Sequence, residues 1–237
     1  ERVDVEEVLA GDIVAISGVP DISIGETIAD INNPVALPTI KIDEPTIKMM
    51  FGVNTSPFSG KEGDYVTSRN LKERLLRAME TDVALKITET SSPDRWIIAG
   101  RGELHLAILI ENMRREGYEL EVSRPQVIFK EVDLKKLEPI EFVTIDVPQD
   151  YSGVVIEMLG KRLGEMKDMR IERERVHIDF HVPTRGLLGM RNEFLTATKG
   201  TGIMHSIFLG YESMKGEVNM NVHGSLIASE SGVTAGY

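Results

Sequence analysis

Between Arg95 and Val127 the chain reads R-W-I-I-A-G-R-G-E-L-H-L-A-I-L-I-E-N-M-R-R-E-G-Y-E-L-E-V-S-R-P-Q-V. Its apolar opening, Trp96 to Ala99, has the character of a strand. Gly100 and Gly102 follow, and the pattern predicts that they take the positive φ angles with which a chain leaves a strand abruptly. Glu103 then stands in the first turn of a helix, where a carboxylate suits the dipole. Leu106, Leu109, Ile110 and Met113 recur at helical spacing on the inner face, leaving Glu111, Arg114 and Arg115 in water. Gly117 suits the helix C-cap, Tyr118 to Val122 alternates as a strand, and Pro125 marks its far end. Strand, helix, strand in this order is the second half of a βαββαβ domain.

The first half lies upstream. Thr46 to Phe51 reads as a strand and Asn54 to Asp64 as a loop. Thr67 or Ser68 can cap a helix running to about Glu80, with Leu71, Leu75, Ala78 and Met79 on one face, and Ala84 to Thr88 makes the next strand. Residues 41–133 thus predict one complete ferredoxin-like unit.

The order recurs downstream. Phe142 to Val147 alternates as a strand, and a helix is expected from Val154 to Lys167. Arg175 to Val182 is the next strand, a helix from Gly186 runs through Leu187, Arg191, Phe194 and Leu195, and Ile203 to Leu209 closes the unit. Residues 134–215 are therefore a second such domain, joined to the first by the short stretch Leu134 to Pro139. Upstream, residues 1–40 alternate apolar and polar between turns at Gly11-Asp12, Ser17-Gly18 and Gly25. That pattern predicts short strands, too few to close a barrel, whose open edges need cover.

Composition narrows the classes. At 237 residues, with 41% hydrophobic and 27% charged side chains, the chain is ordinary globular material. It has no cysteine, hence no disulfide framework or thiolate metal site, which fits a cytoplasmic location. No apolar run approaches the ~18 residues of a membrane span. The start, Glu1-Arg2-Val3-Asp4, has neither the basic opening nor the apolar stretch of a signal peptide, and without an initiator Met the chain reads as a piece of something longer. The net charge of −11 is uneven: residues 1–40 hold eight acids and one base, whereas residues 134–215 balance at twelve of each. Basic faces remain possible in the second half.

The wording is more specific than the wiring. A strand followed by G-x-G-E-L-H-L, a charged helix and x-P-Q-V resembles domain III of the translational GTPases, the group of elongation factor G, LepA and the TypA/BipA proteins. V-E-E-V-L-A-G-D-I-V-A-I-S-G, Val5 to Gly18, resembles the closing strands of their β-barrel domain II. In elongation factor G a further domain separates domains III and V, and its absence here points to LepA or TypA/BipA. The phrase I-D-F-H-V-P-T-R-G-L-L-G-M-R-N-E-F-L-T-A-T-K-G-T-G-I-M, Ile178 to Met204, resembles TypA/BipA rather than LepA. The tail from Gly216, G-E-V-N-M-N-V-H-G-S-L-I-A-S-E-S-G, resembles the opening of that family's own C-terminal β domain, cut short over residues 216–237. The fold class expected is α+β: a truncated barrel segment over residues 1–40, two tandem ferredoxin-like domains, then the start of another domain.

The resemblance implies ribosome binding near the factor site, a role in large-subunit assembly and in adaptation to stress, and large-subunit rRNA and proteins as partners. It implies no membrane partner and no small-molecule substrate. GTP and magnesium would belong to a G domain of the parent. This sequence has no phosphate-cradling G-x-x-x-x-G-K-[ST]: the nearest string places Thr55 at the first glycine and Glu62 at the magnesium-binding hydroxyl, and no N-K-x-D occurs. No cofactor and no catalytic residue are therefore expected within these residues.

Phosphate contact is the chemistry that remains. Arg185, Arg191 and Lys199 flank the second helix of the second unit beside the turn Gly200-Thr201-Gly202, where glycines permit close backbone approach. Lys161 and Arg162, with Lys167, form another cluster, and Arg69, Lys72, Arg74 and Arg77 a third. Taken singly, each cluster also fits an ordinary solvated helix face. Phe142 and Phe208 are the only aromatic platforms on the strands, so shape and phosphate recognition suits this chain better than base stacking. Arg101, between two glycines at a helix start, could hold an anion, though a tight turn with a solvated arginine is the better explanation. His177, Asp179 and His181 alternate along one strand with a metal-like spacing, but ligands on a flat strand rarely converge. An ACT-like regulatory module, which also pairs βαββαβ units and binds a small molecule between them, is the alternative reading, as is a LepA-type factor.

Overall fold

The computed structural model describes residues 3–19, 22, 24–38, 44–218 and 231–233. The chain divides into two compact units, Glu1–Lys41 and Ile42–Tyr237.

In the first unit the expected strands do not form among the described residues. One bridge, Asp30 to Asn33, stands alone, and Ile13, Ile31 and Leu37 are largely exposed. Alternation favours extended backbone, but a strand exists only with a neighbour to complete its ladder.

The second unit holds two sheets of like topology. In the first, β1 (Ile47–Val53), α1 (Ser68–Thr81), β2 (Lys86–Glu89), β3 (Arg95–Gly100), α2 (Glu103–Arg115) and β4 (Leu120–Val122) give the order β2-β3-β1-β4. All pairs are antiparallel, and this is the ferredoxin-like order. β5 (Gln126–Val127) pairs with the start of β1 and continues β4 after a break at Ser123–Pro125. Proline lacks the ladder donor, and Ser123 Oγ accepts the Met50 N–H (2.9 Å) across that break.

Local chemistry explains the helix ends. The Thr67 hydroxyl accepts the Asn70 N–H at the start of α1. After α2, Gly117 at φ 88° closes a Schellman turn, with its N–H donating to the Arg114 carbonyl and the Tyr118 N–H to that of Met113. Gly100 and Gly102 differ from expectation. Neither has a positive φ, and Gly102 is fully extended at −175°. Gly100 is needed for space: a Cβ there would lie 2.9 Å from Leu106 Cδ2 and 3.0 Å from His105 Nδ1.

The second sheet contains β6 (Lys130–Val132), β7 (Lys135–Pro148), β8 (Glu165–Glu172), β9 (Arg175–Pro183) and β10 (Ile203–Ser213), with order β10-β7-β9-β8 and β6 on the end of β7. Its helices are α3 (Ser152–Lys161), α4 (Thr184–Leu187) and α5 (Met190–Ala197). The stretch expected as a linker is instead a β6–β7 hairpin, turning at Asp133 (φ 51°) and Leu134 (φ 62°). The helix expected to reach Lys167 ends at Lys161: Leu163 turns left-handed (φ 65°) and the Gly164 N–H donates to the Leu159 carbonyl (2.8 Å). β8 then fills the edge position. All its residues are exposed, so no buried face signals it. The helix from Gly186 is two helices, broken by extended Leu188 and left-handed Gly189.

Each sheet packs its helices over one apolar layer. Phe51, Leu71, Leu75, Ile98, Leu106 and Met113 centre the first, and Val143, Ile145, Val155, Ile178, Phe180 and Phe194 the second. Each such side chain contributes about 1.5–3 kcal/mol on burial. Of the expected terminal β domain, residues 219–230 and 234–237 lie outside the described residues.

Candidate nucleic-acid interface

The five cations expected to meet phosphate sit on the helical layer of the second sheet in different circumstances. Arg185 leaves α4 and is turned inward, its side chain 13% exposed. Its Nε donates to Glu138 Oε2 (2.5 Å) and a terminal nitrogen to Glu138 Oε1 (3.2 Å). The same guanidinium donates to the carbonyls of Lys215 and Gly216. Glu138 is wholly buried and also accepts the Lys215 N–H. This arginine ties the end of β10 to α4.

Arg162 is similarly committed. It follows α3, donating to the carbonyls of Gly186 (2.8 Å) and Leu188 (3.2 Å) and to the Glu193 carboxylate (2.7 Å). α3 and α4 meet so closely there that a Cβ on Gly186 would lie 2.4 Å from the Arg162 carbonyl oxygen. Lys161 is exposed and pairs with Glu157 one turn back (2.6 Å). That pairing raises the lysine and lowers the glutamate from their ordinary pKa values.

Arg191 and Lys199 are exposed, and neither has an ion pair or side-chain hydrogen bond among the described residues. α5 is eight residues long, about 12 Å, with Arg191 in its first turn and Lys199 just beyond its C-terminus. Lys199 is left-handed (φ 49°), beside Gly200, whose N–H donates to the Leu195 carbonyl. The structure thus brings Arg162 and Arg185 together through α4 as internal ties and sets Arg191 and Lys199 at opposite ends of α5.

In the first sheet's layer, Arg74 grips Glu116 through two bonds (2.5 and 2.7 Å), Arg69 pairs with Glu73 and Lys72 with Glu89. Arg77 is exposed. The expected platforms are partly occupied: Phe142 meets His181 edge-on (5.8 Å) and Phe208 meets Tyr211 (5.6 Å). On β9, His177 lies near Asp146 and Glu172 (3.6 and 3.7 Å), Asp179 accepts from Arg170, and His181 faces Phe142. The three diverge, and among the described residues no group of three His, Cys, Asp or Glu side chains converges as a metal site.

Two features escaped sequence inspection because their partners are distant in the chain. The loop whose sequence comes nearest to a phosphate cradle, without being one, already holds an anion of its own. Glu119 accepts the N–H groups of Gly60, Glu62 and Gly63 (2.7, 2.6 and 2.9 Å) and the Asn54 amide (3.2 Å). Those backbone amides hold its pKa at about 2. At the start of α2, the Arg101 N–H donates to His105 Nδ1 (3.2 Å), which makes Nε2 the ring donor to Asp82 (2.5 Å). Burial pushes Asp82 up, but His105 and the Ala84 N–H outweigh it and hold the carboxyl below its ordinary value.

The family "Elongation Factor G, domain III" matches residues 63–124 and "Elongation factor G C-terminus" matches residues 135–222. The large ribosomal subunit assembly factor BipA of Bacillus subtilis is 50% identical over 239 residues, spanning 100% of this chain and 39% of that protein. Its namesake in Synechocystis is 48% identical over 237 residues, 100% of this chain and 40% of that protein. A TypA-like chloroplastic protein of Arabidopsis thaliana is 51% identical over 238 residues, 100% of this chain and 35% of that protein. The chain belongs to the BipA/TypA family. It spans about two fifths of the length of these BipA relatives. A solved protein from Thermus thermophilus aligns at TM-score 0.47 and 16% identity, over 75% of this chain and 42% of that one. Within the BipA/TypA phrase Ile178 to Met204, one arginine is a buried tie and another is exposed, a distinction that the phrase alone does not carry. Among the described residues no helix is long and apolar enough to cross a membrane.

Proposed function

We propose that this chain is the ribosome-engaging part of a BipA/TypA-type GTPase acting in large-subunit assembly and in translation under stress, in the cytoplasm. The observation that carries this reading is identity of about half, over the whole chain, with proteins named for that assembly role. GTP hydrolysis, with its magnesium, is assigned to the G domain of the parent. The residues here bind and couple, with no bond-making step. The first ferredoxin-like domain relays the nucleotide state and the second docks on large-subunit rRNA and its proteins.

Phosphate contact positions a protein on folded RNA without reading sequence. Of the five expected cations, Arg191 and Lys199 have no partner among the described residues and are free to make it, with Lys161 held only by a solvent-exposed pair. Arg185 and Arg162 support the surface from beneath. The test is co-sedimentation with 50S and 70S particles across a salt series. Charge reversal of Arg191 and Lys199 should weaken binding and flatten the salt dependence by roughly 0.7–0.9 in log–log slope per lost contact. Unchanged slope and affinity would remove both residues from the interface.

A further inference from the structure

A cavity of about 640 Å³ opens between the two ferredoxin-like domains, walled by the first turn of α2, the α4–α5 break and β10. Several features of that wall call for an occupant. No side chain caps α2 after Gly102 or α5 after Gly189, and both helix starts line the cavity. The leading amides of α2 therefore line it with no side-chain cap, and the Glu103 carboxylate of the same turn accepts the Gly189 N–H instead. Arg101 and Arg191 line the same space, and neither side chain has an ion pair or hydrogen bond among the described residues.

Independently of both helices, Thr184 lines the cavity at 1% exposure, and its Oγ1 is buried with no hydrogen-bond partner. A buried hydroxyl left so is costly to folding, and a ligand oxygen or N–H would relieve it. The cavity's carboxylates are largely spoken for: Glu103 accepts the Gly189 N–H (3.1 Å) and Glu44 pairs with Lys130. Glu141 has no such partner among the described residues. Leu104, Leu187, Met204, Ile207 and Phe208 supply an apolar wall.

A bare inorganic anion would use the arginines and amides but neither the apolar wall nor Glu141. We propose that the cleft binds one nucleotide unit. Its phosphate is held by the α2 amides, Arg101, Arg191 and the Thr184 hydroxyl. Its base lies against the apolar wall and offers its N–H donors to Glu141. The unit comes either as a free mononucleotide or as one nucleotide of an RNA strand, since both present the same groups. Bound there, it would bridge the two domains.

The whole 237-residue chain is titrated calorimetrically with inorganic phosphate, with AMP and GMP, and with single-stranded RNA tetranucleotides. The mononucleotides or the tetranucleotides should bind more tightly than phosphate. Arg101→Gln should weaken that binding roughly tenfold, and Thr184→Val several-fold, with circular dichroism unchanged. Lys135→Glu, outside the cleft, should leave it intact. Tight mononucleotide binding assigns a free nucleotide, whereas tetranucleotide binding that mononucleotides compete for only weakly assigns an RNA strand. Phosphate binding as well as either, indifference to both cleft variants, or no binding at millimolar ligand overturns the proposal. No ribosome is present in this titration, so its failure leaves the docking test standing.

Discussion

Glu119 and the arginines of the second domain show what one side chain can conceal. In sequence Glu119 is an ordinary alternating residue of a short strand, and the Ser59-Gly60-Lys61-Glu62 loop lies far upstream. In the folded chain its carboxylate fills the ring of amides that an external anion would otherwise meet. Because its folded pKa is about 2 against an ordinary 4.5, its contribution is fully present above about pH 4.5 and is lost as the pH falls towards 2. Glu119→Gln keeps one acceptor and loses the charge, so the loop from Asn54 to Asp64 should exchange its amide hydrogens roughly tenfold faster at neutral pH. Acidifying the parent from pH 5 to pH 2 should erase much of that difference. Equal exchange in the two proteins at pH 7 would show that the carboxylate does not organise the loop. Arg185, between Thr184 and Gly186, and Arg191, between Met190 and Asn192, teach the same lesson: one lies against buried Glu138 and the other in solvent.

At the scale of elements, periodicity located those with a buried face. α1, α2, β3 and β9 fall close to where their apolar spacing puts them, because a half-buried element must repeat its apolar residues at its own period. β8 has no buried face, and its sequence E-M-K-D-M-R-I-E suits a helix as well as an edge strand. Only pairing with β9 makes it a strand. Glycines near α3 separate in the same way. Gly160 lies in the helix with nothing within 4 Å of where a methyl group would sit, whereas one on Gly186 would strike the Arg162 carbonyl oxygen at 2.4 Å. Gly160→Ala should therefore stabilise the protein by up to about 1 kcal/mol. Gly186→Ala should destabilise it by about 1–3 kcal/mol, since backbone must move. Urea denaturation of both variants checks the pair, and the same sign for both would refute the packing argument.

For the whole molecule, the two sheets repeat one topology with little sequence in common, and residues 42–237 cluster as one compact unit. Leu188, in the break between α4 and α5, packs against the core of the first domain, and the Glu103 carboxylate accepts the Gly189 N–H beside it. These contacts predict that the two domains unfold together. Leu188→Asp, which puts a charge into that apolar contact, should split one calorimetric transition into two. A single unsplit transition would place the coupling elsewhere. The sequence by itself determined the family, the tandem α+β plan and most elements with an inward face, because burial imposes a period and families preserve order along the chain. The tertiary structure alone decided which cations are exposed, which strand completes each edge, and where the two domains leave a cavity. Those properties depend on partners distant in sequence, such as Glu138 for Arg185 or Gly189 for Glu103, and no local pattern encodes the distance between them.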